Sequence, residues 1–211
     1  MGKDQNGMDV FVLLDRTGSM APLWVEAVSS VNTYVRELAK DGAGDRVTVA
    51  AFDAYENGMQ FDILRDAVSV TGWNEIAKDE VFPRGTTPLL DALVKLIARA
   101  EETGNDKTAI VVMTDGYENA SREVTFEAAK ATLDRIQGKN WQVNFLGANF
   151  DGIAQAGRVG VDRGRSMNFS EGRADAAMSS TARQHSRYRH SQNAEFYLDE
   201  DRMDAGEDQV R

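Results

Sequence analysis

The chain has 211 residues, with 24 basic and 34 acidic side chains and a formal net charge of −10. This length suits a single domain, and a hydrophobic content of 42% excludes a chain that is disordered throughout. The acidic balance argues against nucleic acid and anionic membranes as partners, and the absence of cysteine excludes disulfides, thiolate zinc sites and cysteine nucleophiles.

Apolar runs and turn residues divide the chain into alternating strands and helices. Continuous apolar runs predict strands that are buried on both faces, and apolar spacings of three and four predict helices with one buried face. In chain order, the first half is predicted to contain a strand at Val10–Leu14, a helix from Pro22 to Leu38, a strand at Val47–Phe52 and, after the turn Glu56-Asn57-Gly58, an antiparallel edge strand at Met59–Leu64. A short helix at Asn74–Asp79, a helix from Leu89 to Ile97, a strand at Ala109–Met113 and a helix at Phe126–Ile136 are predicted next. The last predicted elements are a strand at Trp141–Leu146, a short helix at Ile153–Ala156, a strand at Ser166–Phe169 and a helix at Arg173–Tyr188. This alternation predicts an α/β fold around a mostly parallel sheet.

The end of the chain predicts a solvated tail. From Glu195 to Arg211 there are seven acidic residues against two arginines, so we expect a domain at 8–190 followed by a disordered acidic tail at 191–211. A basic patch precedes it and is interpreted as a solvated helix end, with an electrostatic contact to the tail as the alternative. The patch consists of Arg183, His185, Arg187, Arg189 and His190.

The first residues of the chain and its hydropathy predict the subcellular location. Residues 1–6 are polar and lack the apolar segment of a secretion signal. No apolar run approaches the ~20 residues that a membrane-spanning helix needs. We therefore expect a cytoplasmic protein without a membrane partner, and nothing in the sequence requires more than a monomer.

Three polar clusters follow predicted strands or open predicted helices. They are Asp15-Arg16-Thr17-Gly18-Ser19, Gly85-Thr86-Thr87-Pro88 and Thr114-Asp115-Gly116. Asp15 and Asp115 each follow a buried strand, and the carboxyl ends of parallel strands meet at one edge of a sheet. Two carboxylates and several hydroxyls, without thiol or imidazole, would form an all-oxygen site that suits Mg²⁺, Mn²⁺ or Ca²⁺.

The same residues resemble the metal-ion-dependent adhesion site of von Willebrand factor A domains. The pattern Asp15-x-Thr17-x-Ser19, then Thr87, then Asp115 is similar to the family's Asp-x-Ser/Thr-x-Ser, a distant threonine and a later aspartate. The flanking stretches FVLLDRTGSM, RGTTPLLDAL and VVMTDGYEN also resemble family segments in order and spacing. The resemblance covers about Met8 to Tyr188. Thr17 stands where serine is common, and Thr86 is an alternative to Thr87.

The resemblance implies a fold, a metal and a partner. The fold is a doubly wound, Rossmann-like α/β sandwich of three layers, with a mostly parallel central sheet and one antiparallel edge strand. Asp15, Thr17, Ser19, Thr87 and Asp115 would hold Mg²⁺, or Mn²⁺ or Ca²⁺, directly or through water. A Glu or Asp carboxylate of a partner protein would complete the coordination. Similar stand-alone proteins occur in bacteria and phages, and some work beside AAA-type ATPases, which makes such an ATPase a candidate partner.

Four residues beside the motif are candidates for a partner-binding rim. Tyr117, Glu118 and Asn119 follow Asp115, with a solvated loop as the alternative interpretation. Arg16 lies within the first cluster and is expected to point outward, either toward an acidic partner or as a plain surface charge. Trp24 and Trp141 are expected in the core.

Two other functions compete with a non-enzymatic binding module. The first is a Mg²⁺-dependent phosphohydrolase with Asp15 as nucleophile, similar to haloacid-dehalogenase-like phosphatases. Those enzymes carry a second aspartate two residues later, where this chain has Thr17, and no lysine follows a strand end in a suitable place. The second is an assembly protein that keeps the fold without using the metal. The chain also lacks a P-loop motif.

Overall fold

The computed structural model describes residues 7–56, 58–148, 152–191 and 193–209. The polar residues 1–6, Asn57 of the predicted turn and Arg211 of the predicted tail lie outside the described residues. In the described part, the strands are β1 (Asp9–Asp15), β2 (Arg46–Tyr55), β3 (Gly58–Ser69), β4 (Thr108–Thr114), β5 (Gln142–Ala148) and β6 (Ser166–Phe169). The α-helices are α1 (Trp24–Leu38), α2 (Leu89–Glu102), α3 (Phe126–Gln137), α4 (Gly152–Arg158), α5 (Ala174–His190) and α6 (Asp199–Asp204).

The six strands form one sheet in the order β3-β2-β1-β4-β5-β6. All neighbouring strands are parallel except β3, which is antiparallel to β2 at the edge. The predicted fold class, a doubly wound α/β sandwich with one antiparallel edge strand, is confirmed. Because β1 and β4 are adjacent and parallel, their carboxyl ends lie side by side.

The continuous apolar run of β1 serves two hydrophobic cores. Val10, Val12 and Leu14 face the core formed with α1 and α5, and Phe11 and Leu13 face the core formed with α2, α3 and α4. Successive side chains of a strand point to opposite faces, so the middle of a strand covered on both faces is apolar on both sides, as from Val10 to Leu14. Trp24 and Trp141 are buried as predicted, one in each core.

The helix predicted at Asn74–Asp79 is wrong. Residues 73–77 have no regular structure, because side chains from other elements bind their backbone. The side-chain Nδ2 of Asn32 donates to the Ile76 carbonyl at 3.0 Å, and its Oδ1 accepts from the Ile76 backbone amide at 2.9 Å. Arg65 donates to the carbonyls of Asn74 and Glu75 at 2.8 and 2.7 Å. These contacts take the backbone groups that a helix would pair internally.

The segment predicted as a disordered acidic tail is folded where the structure describes it. Residues 193–209 fold back onto α5 and β6, and α6 forms within them. Asp201 is completely buried and accepts hydrogen bonds from Arg183 and Arg187, each at 3.0 Å. The alternative interpretation, a contact between the basic patch and the acidic residues, therefore holds for these two arginines.

The other members of the basic patch have different environments. Arg189 pairs with Asp41 and Asp45. His185 is completely buried and is not part of a surface patch, whereas His190 is exposed. No helix among the described residues is long and apolar enough to cross a membrane.

Candidate metal centre

The candidate site lies where β1 and β4 end. Asp15 is the last residue of β1, and Asp115 directly follows the last residue of β4. The loop after β1 turns into a short 3₁₀ helix at Gly18–Leu23, which carries Ser19 to the top of the sheet. The fold therefore brings the two predicted carboxylates to one edge, as the order of strands requires.

Asp15 holds the two strand ends together. Its side chain is completely buried. Its Oδ1 accepts from the Thr17 amide at 2.7 Å, and its Oδ2 accepts from the Thr114 hydroxyl at 2.6 Å. Burial raises the pKa of Asp15 to about 6, although the hydrogen bonds from Thr114 and Thr17 act in the opposite direction. A negative charge is therefore costly at this position unless a cation is close.

A row of oxygen atoms runs from Thr17 to Asp115. The Thr17 and Ser19 hydroxyl oxygens lie 3.1 Å apart, and the Ser19 hydroxyl donates to Asp115 Oδ1 at 2.7 Å. Partial burial raises the pKa of Asp115, and the hydrogen bond from Ser19 opposes that rise. Thr17 is buried and Ser19 is exposed, so the row leads from the interior to the surface.

Thr87 joins the site from the start of α2. Its backbone is held by Asn119, whose amide donates to the Thr87 carbonyl at 3.1 Å and whose Oδ1 accepts from the Thr87 amide at 2.9 Å. A Cβ placed on Gly116 would lie 3.6 Å from the Thr87 hydroxyl oxygen and 3.7 Å from that of Ser19. Thr87 thus faces the same space as Ser19, whereas Thr86 is exposed and pairs through its backbone with Ala54.

The chemistry of these side chains fits a hard divalent cation. Two oxygens that are each about 2.1 Å from one Mg²⁺ and at right angles lie about 3 Å apart. The separations of 3.1 and 2.7 Å along Thr17, Ser19 and Asp115 have this size. Among the described residues, no three His, Cys, Asp or Glu side chains gather as a metal cluster.

The three predicted rim residues that follow Asp115 have two different environments. Tyr117 and Asn119 are exposed beside Thr87 and Asp115. Glu118 instead directs its carboxylate inward, where it accepts from the Leu90 amide at 3.0 Å and from the Ser121 amide at 2.7 Å. Its charge stabilises the start of α2, and because the residue is half-buried its place on the rim stays a prediction.

The expectation that Arg16 points outward is wrong. Its side chain is 3% exposed, and Nε lies 2.8 Å from Asp53 Oδ1 while Nη2 lies 2.6 Å from Asp62 Oδ2. Alternating residues of an extended segment point to opposite sides, and the side opposite Asp15 and Thr17 is covered here by β2 and β3. Arg16 therefore binds acidic residues of its own chain.

Asp53 was missed in the sequence, and Thr114 was named there without a role. Thr114 donates to Asp15, and Asp53 accepts from Arg16. Asp53 follows the buried run Val47–Phe52 just as Asp15 follows Val10–Leu14, and that shared pattern is a signal in the sequence. Thr114 belongs to the third polar cluster, but its hydrogen bond to Asp15 depends on the pairing of β1 with β4 and could not be predicted from the sequence.

Comparison with solved structures identifies the fold. The vWF domain of the type V pili tip protein Mfa5 from Porphyromonas gingivalis matches with a TM-score of 0.63 and 13% identity, over 84% of this chain and 94% of that chain. The SpRpn10 VWA domain matches with a TM-score of 0.53 and 12% identity, over 77% and 87% of the two chains. At these identities the likeness shows the fold, which is that of von Willebrand factor A domains.

A third match is a structure with a metal. Proximal thread matrix protein 1 from the mussel byssus, with a zinc-occupied MIDAS motif, matches with a TM-score of 0.59 and 15% identity, over 85% of this chain. The chain spans about half of that protein, 48% of its length. No protein-family model matches the chain, and no curated protein sequence matches it either.

Proposed function

We propose that this chain is a non-enzymatic binding module that holds Mg²⁺ and uses it to bind a carboxylate of a partner protein. The observation that carries the proposal is the row of oxygens Thr17–Ser19–Asp115, spaced at 3.1 and 2.7 Å and open to solvent at Ser19. Mn²⁺ or Ca²⁺ would suit the same all-oxygen donors. The zinc-occupied MIDAS motif of the mussel protein supports a divalent metal on this fold.

Each residue of the site has a distinct part in this proposal. Ser19, Thr17 and Thr87 would offer hydroxyl oxygens, and Asp115 would add a carboxylate at the half-buried side. Asp15 would hold the Thr17 amide and the Thr114 hydroxyl in place, and its charge would favour a cation nearby. When bound, a cation with few charged protein ligands supplies an electrophilic position that an external carboxylate can fill.

The geometry argues against a phosphohydrolase with Asp15 as nucleophile. Both carboxylate oxygens of Asp15 accept hydrogen bonds within the protein, and its side chain has no exposed surface. A nucleophile must reach the substrate phosphorus in line. Thr17 lacks the carboxylate that such enzymes use as acid and base two residues later. A binding module needs neither of these features.

Metal titration tests the proposal directly. We expect EDTA-treated protein to bind about one Mn²⁺ per chain in calorimetry, and Mg²⁺ to compete for the same site. Water proton relaxation would then report whether bound Mn²⁺ keeps an open position. Added acetate, as the simplest carboxylate probe, should displace water from the bound ion and lower the relaxation rate.

Two variants make the test specific to this site. Ser19→Ala and Asp115→Asn should each abolish saturable binding, because both side chains reach the surface side of the oxygen row. Glu123→Gln is the matched control, since Glu123 is an exposed acid on the neighbouring loop and lies outside the row. Wild-type protein that binds no divalent ion, or both site variants binding as well as the control, would overturn the proposal.

A further inference from the structure

The end of β2 holds both loops that carry the hydroxyl groups of the candidate metal centre. The Arg16 amide, in the loop after β1, donates to the Phe52 carbonyl at 3.1 Å. Ala54 and Thr86, the latter in the loop before α2, exchange two backbone hydrogen bonds of 2.8 and 3.0 Å. Both loops are therefore attached to the same short stretch of β2.

Asp53 lies between these two attachment points, and its side chain joins the loops a second time. It is completely buried. Its Oδ1 accepts from Arg16 Nε at 2.8 Å, and its Oδ2 accepts from Arg84 Nε at 3.0 Å. Arg16 belongs to the first loop, and Arg84 lies three residues before Thr87 in the second. One carboxylate thus binds a guanidinium group from each loop.

The two loops also contact each other directly. The Arg84 amide donates to the Arg16 carbonyl at 2.8 Å, and the Gly18 amide donates to the Gly85 carbonyl at 3.1 Å. Gly85 has a φ of 70°, and a Cβ there would lie 2.1 Å from the Ala54 carbonyl oxygen. Only glycine allows this approach, so the chain is built to bring the second loop close to β2.

We infer that Asp53 is a positioning residue of the metal centre. By binding Arg16 and Arg84, it sets the distance between the loops that carry Thr17 and Thr87. The inference rests on the proposed function, since positioning has meaning only if the hydroxyls bind a metal. A buried carboxylate costs desolvation free energy, and here two guanidinium groups offset that cost. Groups that orient metal ligands commonly change metal affinity by about 10–100-fold when they are replaced.

The inference can be tested with Arg84→Gln and Asp53→Asn. The Arg84 side chain is 41% exposed, so its replacement should leave the protein folded. We expect both variants to raise the Kd for Mn²⁺ about tenfold. The Kd of Arg84→Lys should lie between those of the wild type and Arg84→Gln, because lysine keeps the positive charge. In metal-free protein, amide hydrogen exchange should accelerate at Gly18 and Arg84, whose amides join the loops.

Arg46→Gln is the matched control for these variants. Arg46 and Asp9 form an ion pair that also joins β1 and β2, but at the opposite end of both strands. The Arg46 side chain is 49% exposed. Its replacement should leave the Kd for Mn²⁺ and the exchange of the Gly18 amide unchanged, because no residue of the metal centre lies at that end.

The outcomes separate this inference from the proposed function. Tight Mn²⁺ binding by wild type, Arg84→Gln and Asp53→Asn alike would overturn the positioning role and leave the proposed function standing. An equal loss of affinity in Arg46→Gln would show a general effect of removing ion pairs, and would also overturn it. Absence of Mn²⁺ binding in the wild type would overturn both. If Asp53→Asn does not fold, Arg84→Gln decides alone.

Discussion

At the scale of single residues, Gly116 matters because of what it leaves open. The position of a Cβ at this residue lies 3.6 and 3.7 Å from the hydroxyl oxygens of Thr87 and Ser19. These are ordinary van der Waals distances, so the protein itself can accommodate a methyl group there. The methyl group would instead occupy space between oxygens that we propose to share one cation.

Gly116→Ala is therefore expected to weaken metal binding without unfolding the protein. The Kd for Mn²⁺ should rise about tenfold or more, while the melting temperature in EDTA changes little. Calorimetry and thermal denaturation would measure the two quantities on the same sample. Gly157→Ala is the control, because nothing lies within 4 Å of a Cβ at Gly157. Unchanged affinity in Gly116→Ala would contradict the placement of the cation beside this residue.

His185 is a second residue whose environment determines its chemistry. Its Nδ1 lies 2.6 Å from the Tyr34 hydroxyl oxygen, and its Nε2 lies 2.8 Å from Asn144 Oδ1. Complete burial lowers the pKa of His185 to about 3, with Arg189 and Arg187 adding to the effect. The imidazole is therefore neutral in the folded protein, while in the unfolded chain it binds a proton below about pH 6.5.

This difference predicts that acid destabilises the protein through His185. As the pH falls from 6.5 toward 3, the unfolded state gains a proton that the folded state does not bind, so the free energy of unfolding decreases. The contribution is about 1.4 kcal/mol per pH unit within that window. His185→Gln should show a shallower decrease in urea denaturation between pH 6 and pH 4. Equal slopes in the two proteins would refute the assignment.

At the scale of secondary structure elements, α6 is joined to α5 through one buried carboxylate. Asp201 accepts from Arg183 and Arg187 of α5, and its Oδ2 also accepts from the Leu198 amide at 3.0 Å. Nearby, the Tyr197 hydroxyl lies 2.8 Å from that of Thr181 in the core. These contacts offset the entropy that the segment loses when it becomes ordered.

Asp201→Asn should therefore release α6 from α5. The loss should be about 1.5–3 kcal/mol, the usual contribution of hydrogen bonds to a charged group, because the Arg183 and Arg187 side chains are 43% and 31% exposed and stay hydrated. Asp204→Asn is the control on the same helix, since Asp204 is 55% exposed and its pair with Arg183 should contribute less than about 1 kcal/mol. Urea denaturation and proteolysis of residues 193–209 would measure the difference. A loss in Asp201→Asn no larger than in the control would contradict this account.

At the scale of the whole molecule, the sheet separates two hydrophobic cores and carries the candidate site at one edge. The site joins the ends of β1 and β4 with the starts of two helical segments, so it contacts both halves of the fold. A cation that binds only the folded state must stabilise all of it. Metal binding and global stability are therefore linked.

Mg²⁺ is accordingly expected to raise the melting temperature. At a concentration 100-fold above its Kd, binding adds about 2.7 kcal/mol to the free energy of unfolding. For a domain of this size, that gain corresponds to about 5–10 °C. Differential scanning calorimetry in EDTA and in excess Mg²⁺ measures the shift. Ser19→Ala should show no shift, and a shift equal to that of the wild type would exclude the proposed site.

Most of the fold, and the residues proposed for the metal centre, could be predicted from the sequence. Continuous apolar runs such as Val10–Leu14 are typical of strands that are covered on both faces, and their alternation with helices predicted a layered α/β fold. Asp15 and Asp115 could be placed together because each follows such a strand. Local sequence was sufficient to place both carboxylates at the same edge, because parallel strands end on one side of a sheet, whereas the adjacency of β1 and β4 is a feature of the tertiary structure.

The burial of particular charged residues could not be predicted from the sequence. Arg16 and Asp201 look like surface charges in the sequence, yet each is buried against opposite charges at least 14 residues away along the chain. Asn32 likewise prevents the helix predicted at Asn74–Asp79 by binding its backbone. The physical reason is that the free energy of a buried charge or polar group depends on its partner, and here the fold alone brings the partner close.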